Sequence, residues 1–226
     1  MIDAVIFDKD GTLFDFRASW GAWTRSLLAE LGQPGLGAVL GYDLETGEFS
    51  PDSPVIAMTT PEIADIVLPH VPQLSRDGLN AVMNRLAAAA PMVPAVDLPA
   101  VLGALRARGL RIGLATNDTE APARAHLTGA GVIGLFDFVA GCDSGWGGKP
   151  APGQLLAFVA ASELAPGRVA MVGDSRHDLD AGAAAGMLRV AVLTGIATAD
   201  DLADHADVVL PDISHLGAWI DSLSAV

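Results

Sequence analysis

Four short polar segments carry the chemistry open to this chain of 226 residues. Phe7-Asp8-Lys9-Asp10-Gly11-Thr12 places two carboxylates two residues apart, where an apolar run gives way to a loop, so both can face one site. Gly11 lets the backbone turn sharply where a side chain would clash. Thr116-Asn117-Asp118 sets a hydroxyl beside an amide after a second apolar run, and Lys149-Pro150 follows the glycine-rich stretch from Gly141 to Gly148. Gly173-Asp174-Ser175-Arg176-His177-Asp178 again brings two acids after apolar residues. Together these types suit phosphoryl transfer. A carboxylate can attack phosphorus and split one hard step into two. A second acid protonates the leaving alkoxide and later deprotonates water. Carboxylates can hold a hard divalent cation, while a hydroxyl and an ammonium neutralise phosphoryl oxygens. Without the cation and Lys149 the acids would repel a phosphate dianion.

The residues must be positioned by the elements between them. Ala4–Phe7, Arg111–Thr116, Phe138–Ala140, Val169–Gly173, Arg189–Leu193 and Asp207–Leu210 are short apolar runs, as expected for strands covered on both faces. Helical patterns at Leu98–Arg108, Glu120–Gly129, Gly153–Glu163 and Leu179–Ala185 supply crossovers. Such alternation predicts a doubly wound, Rossmann-like parallel α/β sheet, with ligands beyond the carboxyl ends of its strands. About a hundred residues after the first strand break the pattern. There Trp20–Leu31 and Leu74–Ala90 read as helices, Thr60 as the cap of a third with Pro61 in its first turn, and Glu45–Pro54 as loop. A small helical insert over residues 15–92 is expected, with residues 1–14 and 93–226 forming the core.

Composition narrows the function classes. Lys and Arg number 13 against 27 Asp and Glu, a formal charge of −14 that disfavours nucleic acid. Cys142 is the single cysteine, so neither an internal disulfide nor a cysteine zinc cluster is expected. The mean hydropathy of +0.41 comes from alanine, and Leu86–Leu105, the most apolar stretch, is broken by Pro91, Pro94, Asp97 and Pro99. Asp3, Asp8, Lys9 and Asp10 interrupt any signal-peptide pattern, so a cytoplasmic protein without a membrane partner is expected.

The four segments resemble, in order, the four motifs of the haloacid dehalogenase superfamily, in its phosphatase branch and nearest to phosphoglycolate-phosphatase-like members. The resemblance implies Asp8 as nucleophile and Asp10 as general acid/base. It implies Mg²⁺ held by the Asp8 carboxylate, the main-chain carbonyl of Asp10, and Asp174. Thr116, Asn117 through its backbone, Lys149 and the Gly11 loop would receive the substrate, with Lys149 also orienting Asp8. Asp178 and Ser175 would stand behind the metal ligands. The insert resembles the family's cap. A small phosphorylated metabolite is the implied partner, phosphoglycolate-like or a sugar phosphate, with monomer and homodimer both open. A sugar phosphomutase, a receiver-like phospho-Asp module and a silent binding protein are the competing readings.

Other residues carry weaker expectations. Lys9 is expected to point away from the two acids, as strand alternation demands. His70, His126, His205 and His215 are expected on the surface, and His177 as a loop contact near the site. Trp20 and Trp23 read as core of the insert, and Arg17 as a ligand for a substrate carboxylate. Arg176 reads as a salt-bridge partner, and Trp146 as lining the pocket mouth or anchoring its loop.

Overall fold

Strand β1, Ala4–Phe7, is buried along its whole length. Alternation sends Val5 and Phe7 into one apolar cluster and Ala4 and Ile6 into another, so both faces of the strand are covered. It is central in a six-stranded sheet of order β3-β2-β1-β4-β5-β6, with every pairing parallel. The other strands are β2 Arg111–Ala115, β3 Phe138–Ala140, β4 Val169–Gly173, β5 Leu188–Val192 and β6 Val208–Leu210. This computed structural model describes residues 2–223. The chain runs outward from β1 to β3, then returns to β4 on the other side of β1. The strand order therefore reverses beside β1, which opens a crevice at the carboxyl ends of β1, β2 and β4. Phe7 is level with Leu114 on one side and Val172 on the other, so Asp8 leaves the sheet at the centre of that crevice.

Eleven helices accompany the sheet among the described residues. Helices α1 Phe16–Leu31, α2 Leu36–Val39, α3 Pro54–Ala57, α4 Thr60–Val67 and α5 Arg76–Ala88 follow β1. Then come α6 Leu98–Ala107, α7 Glu120–Gly129, α8 Gly153–Ser162, α9 Arg176–Ala185, α10 Ala199–Leu202 and α11 Leu216–Leu223. Leu102 of α6, Leu127 of α7 and Ile220 of α11 cover one face of the sheet. Phe158 of α8 and Ala181 of α9 cover the other. Helices α1–α5 bury a separate cluster that includes Trp23, Leu27, Val67, Leu79 and Met83. The chain leaves and re-enters the sheet region through adjacent segments, where Asp15 donates to the Val93 carbonyl at 2.8 Å and Ala95 to that of Leu13 at 2.9 Å.

The starts of α1 and α4 differ from the sequence reading for local reasons. Helix α1 begins four residues before Trp20, because the Asp15 side chain accepts from the Ala18 amide. Thr59 rather than Thr60 caps α4, with Glu62 reaching back to its amide and hydroxyl at 2.8 and 2.6 Å.

Candidate active site

Asp8 follows β1 directly and is held in place by two contacts. Its amide donates to the Val172 carbonyl at 2.9 Å, and its Oδ1 lies 2.5 Å from Lys149 Nζ. Lys149 Nζ also lies 2.7 Å from Asp178 Oδ1 and donates to the Ala115 carbonyl at 2.8 Å. This places a buried ammonium between two buried carboxylates. Ser175 caps α9 by a reciprocal exchange with Asp178, whose Oδ2 accepts from the Ser175 amide and hydroxyl at 3.1 and 2.7 Å. Asp178 is thereby fixed by partners at both oxygens. Asp174, at the end of β4, has Thr12 as its hydrogen-bond donor at 3.3 Å.

Close packing sets the Asp174 position. A Cβ on Gly11, whose φ is +88°, would fall 2.3 Å from Asp174 Oδ2, and one on Gly195 would fall 1.7 Å from the same atom. Only glycine fits either wall. The Gly11 amide donates to Phe14 and its carbonyl accepts from Thr194 Oγ1 at 2.6 Å, so both its polar groups are used within the fold.

Oxygens of Asp8, Asp174 and Asp178 can all lie within 4.8 Å of one another. Burial pushes the Asp8 carboxyl up to about 7, against the pull of Lys149 and with the push of Asp178 and Asp10. Burial also holds Asp174 well above the usual carboxylate range, with Asp8 and Asp178 adding to it. Burial opposes the Lys149 ammonium, yet Asp178 and Asp8 keep it above its ordinary range. One ammonium cannot neutralise three buried carboxylates, and the ionised forms of Asp8 and Asp174 are disfavoured accordingly. A hard divalent cation, for which these all-oxygen donors are suited, would favour them.

Thr116, at the end of β2, is buried, and its Oγ1 accepts from the Asp118 amide at 3.1 Å. Gln154, which the sequence reading passed over, ties the Thr116 carbonyl to that of Gly147 at 3.0 and 2.9 Å. The Asn117 side chain clamps the Lys149 loop from both sides and donates to the Ala57 carbonyl of the insert at 2.7 Å.

Lys9 departs from its expected place. It points away from Asp8, as alternation requires, but it does not avoid Asp10. Its fully buried Nζ lies 2.9 Å from Asp10 Oδ2, 3.1 Å from Asp118 Oδ2 and 3.1 Å from His126 Nδ1. The strand has ended at Phe7, so the backbone beyond it turns and carries the Asp10 side chain to the Lys9 side. His126 is likewise buried rather than on the surface, with its Nε2 2.7 Å from the Ala87 carbonyl of α5. Of the other histidines, His70 and His215 are exposed and His205 pairs with Asp180.

Burial, reinforced by the Lys9 charge, pushes His126 down to about 4. The unfolded chain takes up this proton near pH 6.5, but the folded chain resists it until about 4. Its contribution to stability is therefore complete above about 6.5 and is lost as pH falls toward 4, by up to about 1.4 kcal/mol per unit. Urea unfolding between about pH 7 and 5 is expected to show a shallower acid loss in His126→Gln than in the parent. Equal slopes would contradict this placement of His126.

The insert roofs the acids. A cavity of about 660 Å³, counting its open mouth, lies between them, lined by Asp8, Asp10, Thr116, Lys149 and Asp174 below and by Trp20, Ile56 and Met58 above. Trp20 and Trp23 stack edge to face with centroids 5.1 Å apart and serve the insert core as expected. Arg17 does not reach the cavity. It lies on the outside of the insert with Glu48 at 3.3 Å, apart from the other residues expected to receive the substrate. Arg176 bonds the Asp201 carbonyl at 2.9 Å, and Trp146 packs on Phe138 with centroids 5.6 Å apart, outside the cavity lining. His177 is exposed and lines the cavity.

Buried acids at the switch point of a doubly wound sheet, under a helical insert, define a hydrolase class, and the chain belongs to it: the haloacid dehalogenase-like hydrolases, whose family pattern matches residues 2–186. The chain is 32% identical to a phosphoglycolate phosphatase of Rhodospirillum rubrum, over 97% of this chain and 91% of that protein. It is 27% identical to an N-acetylmuramic acid 6-phosphate phosphatase of Pseudomonas aeruginosa, over 98% and 95%. The fold matches the crystal structure of a β-phosphoglucomutase of Clostridium difficile with a TM-score of 0.71 and 20% identity, covering 98% of this chain and 96% of that one. The protein is therefore an enzyme of the haloacid dehalogenase-like family with phosphatases among its relatives. No helix among the described residues is long and apolar enough to cross a membrane.

Proposed function

We propose that the protein is a Mg²⁺-dependent phosphomonoesterase, acting in the cytoplasm on a small phosphorylated metabolite through an aspartyl-phosphate on Asp8. The observation that carries this reading is the buried Asp8–Lys149–Asp178 chain beside Asp174, at the one crevice the sheet topology opens. An Asp8 oxygen attacks phosphorus as the ester P–O bond breaks, and the departing alkoxide takes a proton from Asp10. Asp10 then accepts a proton from water as that water attacks the phosphorus. The acyl-phosphate P–O bond breaks, releasing inorganic phosphate and restoring the Asp8 carboxylate. The Thr116 hydroxyl, the Asn117 amide and the Lys149 ammonium hold the phosphoryl oxygens, while Lys149 also aims Asp8. Mg²⁺ would be held by Asp8, Asp174 and the Asp10 carbonyl, and when bound it supplies positive charge to the phosphoryl oxygens. Asp178, backed by Ser175, fixes Lys149.

Residues 15–92 act in this account as a cap that excludes bulk water from the acids, and residues 1–14 with 93–226 as the core. The likeness to a phosphoglucomutase rests on fold alone, and no contact in the site favours transfer to a second hydroxyl. Phosphate release from a panel of small monoesters, including p-nitrophenyl phosphate, is expected with Mg²⁺, to vanish with EDTA and to return on re-addition of the metal. Turnover indifferent to EDTA would contradict the metal assignment, and a panel with no turnover at all would contradict the phosphatase reading.

A further inference from the structure

The wall facing the catalytic acids is built for contact with carbon. From the insert, Phe16, Trp20, Val55, Ile56, Met58 and Ile63 border the cavity. The insert has no lysine, and its four arginines are all committed elsewhere. Arg17 pairs with Glu48, Arg76 with Asp65 and Arg85 with Glu30, while Arg25 donates to the Leu44 carbonyl. None of the four lines the cavity. On the core side, Lys149 is engaged with Asp8 and Asp178, and Lys9 is sealed between Asp10 and Asp118. His177 stands on the wall within the influence of Glu62. Beyond the phosphate position, then, a second anionic group on a substrate would meet apolar side chains of the insert, on a cavity wall with no lysine or arginine besides Lys149. Hydroxyl-rich groups would likewise lose water with few partners to replace it, the Thr60 hydroxyl and the unpartnered Trp20 indole N–H being the polar side-chain groups that the insert offers there.

We infer that the alcohol released by this enzyme is uncharged and predominantly apolar, an alkyl or arylalkyl group, and that the Trp20–Ile56–Met58 face of the insert is its subsite. The inference rests on the phosphatase reading above and narrows it. It sets this chain apart from its relatives named for phosphoglycolate and N-acetylmuramic acid 6-phosphate, both of which carry a carboxylate.

The test is a comparison of kcat/KM at one fixed pH. Phosphoglycolate is set against its uncharged isostere, glycolamide phosphate. Methyl, butyl and 2-phenylethyl phosphate form a second series, with glucose 6-phosphate and p-nitrophenyl phosphate alongside. The amide is expected to exceed the acid by at least about tenfold, and butyl to exceed methyl phosphate by at least about tenfold. Met58→Arg, which sets a cation on the wall, is expected to shift the acid-to-amide ratio toward the acid by about tenfold or more. Phosphoglycolate equal to or better than its amide, a flat alkyl series, glucose 6-phosphate as the best ester, or an unmoved ratio in Met58→Arg would each overturn the inference. Any of these with p-nitrophenyl phosphate still cleaved leaves the phosphatase reading standing. Loss of release from every ester overturns both.

Discussion

Asp8→Asn is expected to lower phosphate release by about 10⁴-fold or more while the protein stays folded. The amide is nearly isosteric with the carboxylate but is a far poorer nucleophile, and no other carboxylate is placed to replace it. Asp178 is bound at both oxygens to Lys149 and Ser175. Asp10 is turned to Lys9, and Asp174 is walled by Gly11 and Gly195. Stability moves little or rises, because Asp8 is a carboxylate that burial already pushes up to about 7. Its loss relieves repulsion toward Asp178 and leaves Lys149 paired with Asp178. Single-turnover kinetics with thermal unfolding of both proteins checks this. Activity within tenfold of the parent would remove Asp8 as nucleophile.

Lys149→Met has the second large effect, and it strikes both stability and rate. The ammonium is the charge partner of Asp8 and Asp178 at 2.5 and 2.7 Å, deep in the protein. Removing it leaves two buried carboxylates that repel one another, a loss of about 3–5 kcal/mol in unfolding free energy. The rate is expected to fall by about 10²–10³-fold, since positive charge disappears where phosphoryl charge gathers. The two effects separate in the double variant Lys149→Met/Asp178→Asn. Deleting one orphaned charge restores part of the stability but none of the turnover. Urea titrations and kcat on the parent and the two variants check this. A Lys149→Met protein as stable as the parent would contradict the buried pairing.

The sheet was legible because each strand is short, apolar and bounded. Ala4–Phe7, Phe138–Ala140 and Val169–Gly173 occur in the structure as read. The candidate site was legible for the same reason, since residues following parallel strands converge without further information. What escaped depends on contacts between distant parts of the chain. Lys9 was read by strand alternation, a rule that ends where β1 ends, and its partners Asp118 and His126 lie more than a hundred residues away. His126 did carry a local signal. Pro122, Ala123, His126 and Leu127 form the buried face of α7, a helical spacing that sets the histidine inward. Arg17 was placed near the site by its position in the chain. The Glu48 that draws it outward lies beyond a stretch of turns with no periodicity to read. Thr12 and Gly195 sit in loops, and Gln154, on α8, reaches the main-chain carbonyls of distant residues, so residue type alone is silent for all three.

The central claim is a phosphoryl group carried on Asp8, and borohydride trapping addresses it directly. The enzyme is mixed with p-nitrophenyl phosphate and Mg²⁺, quenched in acid within one turnover, and reduced. Reduction converts an aspartyl-phosphate to homoserine, which peptide mass spectrometry locates. The account predicts homoserine at position 8, absent without substrate. Active enzyme that yields an unmodified Asp8 peptide, or homoserine at Asp10, Asp174 or Asp178 instead, would contradict it.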